Sequence, residues 1–242
     1  MSVFSIKSAA SNSAIALGAL ALLGAAPASA QPAPLSIPPE AGSPAITVFT
    51  GLPSGYRIIS RGPSGEECDS GNAATTYRVW KNYPQVDKFT TVKVDYGICP
   101  DEYVPQRTVA YDKQDSIELG DFNFDGTLDL ALYVGNIGGY GSMAYDVFLF
   151  DDRTGRYIRS QRFSELTRSL GMFEVNKEDQ MLFVNSKSGA AYFQREGYRV
   201  GSGNRLKKVY DKTTEYTGEG EGVSTTTITM DGETFTITGP AE

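Results

Sequence analysis

From Ile46 onward, apolar, aromatic and β-branched residues come in short runs with Gly, Pro, Asn and Asp between them, the pattern of strands separated by turns. Runs at 46–49, 56–60, 75–80, 89–94, 107–110 and 116–119 predict strands, followed by 128–134 and by 145–150, whose turn at 151–155 leads into a further strand at 156–160. The run beginning at Leu128 (LDLALYV) is apolar at nearly every position. Beyond it, strands are expected at 172–175, 181–185, 190–194, 198–200 and 206–210. A closing hairpin, 225–230 with 233–238, alternates Thr with apolar residues around Asp231-Gly232, a dipeptide favoured in type I′ turns. Its Thr-rich side predicts one exposed face. One segment departs from the pattern: Ser164 stands as an N-cap, Leu166 and Leu170 are four apart, and Gly171 follows, so a short helix is expected over 164–170.

The prediction is therefore a mainly β protein of antiparallel sheets, in an irregular propeller-like or sandwich arrangement, with about one short helix. Residues 46–242 form a single domain in this reading, whose folded part runs from about Ile46 to about Thr238, roughly 190 residues, enough to bury a core. Ahead of it, Lys7, the apolar run at 14–26 and the small residues Ala28-Ser29-Ala30 have the features of an export signal over 1–30, cleaved after Ala30. Residues 31–45, dense in Pro and small residues, read as an extended linker. The apolar run is shorter than the roughly 20 residues of a membrane span. No Cys stands near the cleavage site to take a lipid. The expected location is the periplasm or the exterior.

Charge narrows the partners. The net charge is -7, and loss of Lys7 with the signal makes it -8, which disfavours nucleic acid. The chain has no histidine. That excludes Ser-His-Asp and Cys-His catalysis, and His-ligated zinc. The two cysteines, Cys68 and Cys99, would meet in an oxidising compartment, and a disulfide between them is expected to contribute about 3 to 4 kcal/mol.

Chemistry is concentrated in Asp121-Phe122-Asn123-Phe124-Asp125-Gly126-Thr127-Leu128-Asp129. Side-chain oxygens at Asp121, Asn123, Asp125 and Asp129, the Thr127 carbonyl, and Gly126 at the sixth position match the spacing of a calcium loop. Position twelve is Leu132 rather than the Glu of an EF-hand, and a strand follows instead of a helix. The motif does not recur, so a complete many-bladed propeller is not expected. The Gly-rich stretch 135–142 presents Ile137 and Tyr140 as apolar anchors on a loop, suited to a protein partner. No Gly-Lys-Ser/Thr follows to cradle phosphate. Asp146, Asp151, Asp152, Glu165 and Glu174 are the acids a carboxylate-based glycoside hydrolase would need, but each sits where a solvated acid is expected anyway, and no enzyme is predicted.

The loop and its flanks, Gly120 to Ala131, resemble the calcium loops of FG-GAP and VCBS repeats. Asn123-Phe124-Asp125-Gly126, Asp129-Leu130-Ala131, Gly138-Gly139-Tyr140-Gly141 and Tyr145-Asp146-Val147-Phe148-Leu149-Phe150 are further similar to a family of exported bacterial calcium-binding proteins. Its characterised member is an immunity protein that inhibits a lysozyme-like, peptidoglycan-cleaving toxin. The similarity continues through Phe163-Ser164-Glu165-Leu166-Thr167, Phe173-Glu174-Val175 and Ser186-Lys187-Ser188-Gly189, covering about 119–200. It departs at Ala190-Ala191-Tyr192-Phe193, where a Cys-Cys pair and a His are common in the family. The resemblance implies a calcium-stabilised, non-enzymatic inhibitor of a peptidoglycan hydrolase. An adhesion or carbohydrate-binding module is the alternative.

Overall fold

In the computed structural model the described residues are 45–69, 73–82, 88–97, 106–217 and 223–240. The expected export signal and all of the expected linker but Ala45 lie outside the described residues, as does Cys99.

Five strands make the first sheet: β1 (Ile46–Thr50), β2 (Tyr56–Arg61), β3 (Thr75–Lys81), β4 (Thr90–Val94) and β5 (Gln106–Ala110), in the order β4-β3-β2-β1-β5. The neighbours are antiparallel except β1 and β5, which run parallel. This parallel pair sits within the mainly antiparallel architecture expected, and it is sterically open because the long return from β1 to β5 includes the other three strands. Between β2 and β3 lies a helix not foreseen, α1 (Gly65–Asp69). Ser64 and Glu67 form a capping box: the Glu67 amide donates to Ser64 Oγ and the Ser64 amide to Glu67 Oε2, so the Ser-x-x-Glu spacing was its sequence signal.

Next come β6 (Ile117–Gly120), β7 (Asp129–Gly135), β8 (Ala144–Asp151) and β9 (Arg156–Arg159), a four-stranded antiparallel meander. After them α2 (Gln161–Leu166) leads to the third sheet, β10 (Glu174–Asn176), β11 (Met181–Ser188), β12 (Tyr192–Gly201), β13 (Arg205–Thr217), β14 (Val223–Met230) and β15 (Glu233–Pro240), paired in chain order.

The four-stranded sheet is the middle layer. Leu130, Leu132 and Phe148 face Phe49, Ile58, Tyr77, Val79, Val92 and Val94 of the first sheet. Ala131, Tyr145, Val147 and Leu149 face Phe163 of α2, Phe173, and Leu182 and Val184 of the third sheet. That explains the unbroken apolar run of β7: Leu130, Ala131 and Leu132 are all fully buried, on alternating faces.

The helix lies earlier than expected. It starts after Ser160 and ends at Leu166, and Ser164, read from sequence as its cap, is inside it and buried. Phe163, fully buried against Phe173, anchors it. The expected strands at 190–194 and 198–200 are one strand, β12. Gly197 does not end it but lets it pack closely: a Cβ there would stand 2.6 Å from Met181 Cε and 2.8 Å from Tyr210 Cβ. The closing hairpin exposes both faces, for Met230, Phe235 and Ile237 are solvent-exposed along with Thr234, Thr236 and Thr238 of its last strand, while the threonines of β14 are half-buried. No described helix is long and apolar enough to cross a membrane.

Candidate functional site

The segment between β6 and β7 folds as a chain of side-chain-capped turns. Asp121 Oδ1 accepts from the Asp125 amide at 3.0 Å and its Oδ2 from the Gly126 amide at 2.9 Å. Asn123 Oδ1 accepts from the Asp125 amide, and Asp125 Oδ1 from the Thr127 amide at 2.8 Å. Gly126 has φ +86°, in the left-handed region where the sixth position requires glycine. Asn123 donates its side-chain amide to Asp125 Oδ2 and to Asn204 Oδ1, which ties the loop to the turn between β12 and β13.

Asp129 behaves differently. It is fully buried, its Oδ2 accepts from the Phe122 amide and its Oδ1 from the Phe150 amide, both at 2.9 Å. It therefore joins the loop to the end of β8. Burial pushes its carboxyl up to about 7 against the pull of those two amides, and the charges of Asp125 and Asp121 add to the rise. Thr127, whose carbonyl was expected to bind metal, donates its hydroxyl to Asp152 Oδ2, and Asp152 pairs with Lys81 of β3. The donors are hard oxygens of the kind calcium takes. Among the described residues, however, no group of three acidic, His or Cys side chains is arranged to hold a metal ion.

At the other end of β7, about 20 Å away at strand rise, the Gly-rich loop is docked rather than loose. The Gly138 amide donates to the Ser142 carbonyl, the Gly139 amide to the Arg168 carbonyl, and Ser142 Oγ to the Ser169 carbonyl. A Cβ on Gly139 would lie 2.7 Å from the Ser169 oxygen, so only glycine permits this approach. Ile137 and Tyr140 are 65% and 62% exposed. Tyr140 sits at φ +55°, and its hydroxyl accepts from the Gly189 amide while Lys187 Nζ lies 4.6 Å above its ring. From sequence, Ile137 and Tyr140 were expected as contact residues, whereas Lys187 and Gly189 were given no contact role. Their signal was the Ser186-Lys187-Ser188-Gly189 segment, whose turn is too far along the chain for spacing to connect it with Tyr140.

The acids considered for hydrolysis are all engaged. Asp146 takes a two-pronged contact from Arg159, at 2.6 and 2.7 Å, and a further one from Arg168. Asp151 caps its own turn through the Arg153 amide and Thr154 hydroxyl, Glu165 accepts from Gln161, and Glu174 is gripped by Arg195. Cys68 on α1 is not a free thiol. With Cys99 outside the described residues, their pairing stays an expectation.

No family model matches the chain, and no curated protein matches it in sequence. Among solved structures, a type IV secretion system related protein of Xanthomonas matches with a TM-score of 0.52 and 23% identity, over 76% of this chain and 90% of that one. At that identity the likeness shows a shared fold.

Proposed function

We propose that the chain is an exported, non-enzymatic binding protein that inhibits a cell-wall hydrolase of the lysozyme type, released into the periplasm or beyond after cleavage at Ala30. The observation that carries this is the 135–142 loop. Its backbone is pinned to the Arg168–Ser169 carbonyls, yet it holds Ile137 and Tyr140 out in solvent. A preset loop with an aromatic tip loses little entropy on entering a partner's cleft. The net charge, -8 once Lys7 leaves with the signal, suits a basic target. The likeness in fold to a secretion-system related protein is compatible with export. The engagement of Asp146, Asp151, Asp152, Glu165 and Glu174 in ion pairs, a turn cap and a side-chain hydrogen bond supports a non-catalytic role.

Calcium belongs to the same proposal. Asp121, Asn123, Asp125, the Thr127 carbonyl and Asp129 are the residues that would hold it, offsetting the mutual repulsion of the three acids. To do so Asp129 would share its oxygens with the Phe122 and Phe150 amides. Inhibition assays on a panel of peptidoglycan hydrolases test the reading. Tyr140→Ala should weaken inhibition by about 30-fold or more, the scale of a buried aromatic anchor, while leaving the melting curve of the free protein nearly unchanged. A panel untouched by the wild-type protein, or full potency in Tyr140→Ala, would sink it.

A further inference from the structure

β15 is the outer strand of the third sheet, and nothing in it guards the open edge. Sheet edges are commonly blunted by shortness, lysine, proline or a bulge. β15 is eight residues long and pairs with β14 in unbroken register. Its one charge, Glu233, is at the first position and its proline, Pro240, at the last. β10, at the sheet's other edge, has three residues. One face of the hairpin is a ladder of threonine hydroxyls, Thr225 with Thr238, Thr227 with Thr236 and Thr229 with Thr234, at 3.4, 3.2 and 2.9 Å. The other carries Phe235 and Ile237, 58% and 64% exposed.

The turn fixes which backbone groups face outward. Asp231 and Gly232 have φ of +48° and +95°, as a two-residue type I′ turn demands, so Met230 and Glu233 exchange the closing hydrogen bonds. Alternation along an antiparallel strand then turns the amides and carbonyls of Thr234, Thr236 and Thr238 away from β14. Pro240 falls in the same outward set, where its missing N–H removes no bond to β14.

We propose that this edge pairs with β15 of a second copy of the chain, antiparallel about a two-fold axis through Thr236. In that register Thr236 meets the second copy's Thr236, Thr234 meets its Thr238, and each Thr pair exchanges both backbone hydrogen bonds. Phe235 meets Ile237, and the lone charge, Glu233, falls opposite Gly239, so no like charges oppose each other. The hydroxyl ladder continues across the junction, and so does the apolar row. The same patch serves both copies, the condition for a closed dimer rather than a fibre. A foreign strand would need to match this alternation; a second copy does so by symmetry.

Sedimentation of the exported chain tests this, alongside Thr236→Lys, which places a charge at the axis, and Thr236→Pro, which deletes the central outward amide. Far-UV circular dichroism confirms that each variant keeps its sheets. The wild type should sediment at twice the chain mass and dissociate on dilution, and Thr236→Lys with an unchanged spectrum should sediment at the single-chain mass. A wild type that stays single up to about 100 µM, where a contact of Kd about 1 µM would be filled, overturns the proposal. So does a double mass that survives in both variants.

Discussion

Removing the Asp129 carboxylate leaves the amides of Phe122 and Phe150 without their acceptor inside the core. Each unpaired buried donor costs about 1 to 3 kcal/mol, so Asp129→Ala, which orphans two, should lose about 2 to 6 kcal/mol in urea unfolding. Asp129→Asn, which keeps one carbonyl oxygen, should lose roughly half as much. Equal stability of wild type and both variants would show that water replaces the carboxylate. Asp125 is exposed and bonds only within its own loop, which gives its substitution a different signature. Asp125→Ala should lower the melting temperature measured in calcium and abolish the difference between calcium and chelator. A melting curve in which calcium still stabilises the variant would remove Asp125 from the ligand set.

α2 is held to β8 by two buried hydroxyls. Ser164 Oγ accepts from the Val147 amide and donates to the Ser160 carbonyl, while Thr167 Oγ1 accepts from the Tyr145 amide at 2.9 Å. Thr167→Val keeps the shape but orphans that amide, so a loss of about 1 to 3 kcal/mol is expected in urea unfolding; a loss within experimental error would mean that the packing alone seats α2. β10 is clasped to β12 by Glu174 and Arg195, and the hydrogen bonds from Arg195 hold the Glu174 carboxyl below its usual 4.5. Its contribution is therefore present above pH 4.5 and fades as pH falls through the lowered value. The melting gap between wild type and Glu174→Gln should be open at pH 7 and closed by about pH 2; a gap that persists there would not be electrostatic. These same elements show what could be read in advance. β7 and β8 were legible because their apolar runs are dictated by burial on both sides. The start of α2 was not, because Ser164 has the chemistry of a cap and only the neighbouring strand makes it a latch. The expected gap between strands at 190–194 and 198–200 closed for a related reason: chain order does not reveal that Met181 and Tyr210 press on Gly197 within one continuous strand. For the candidate site, residue types and spacing along 121–129 were legible, as was the exposure of Ile137 and Tyr140. The turning of Asp129 toward Phe150, across 21 residues, was not.

In the three-layer arrangement the middle sheet owes both of its faces to others, the first to β1–β5 and the second to α2, Phe173 and β11–β13. Amides of β7 and β8 should exchange with deuterium last and together, since neither face is exposed by loss of a single edge; early exchange of β7 relative to β3 would contradict that order. The layers also follow one another along the chain, which gives the architecture a direction in time. A chain emerging from its N-terminus completes the outer five strands while their partner sheet is still to come. It completes the middle sheet before β11 arrives to cover Ala131, Tyr145 and Val147. Until then a growing molecule carries a bare apolar surface, so the last stretch to be delivered is the one that makes the rest safe. No layer can be shed by truncation or proteolysis without recreating that unfinished state, and a shortened form of this protein would be expected to aggregate rather than persist as a smaller domain.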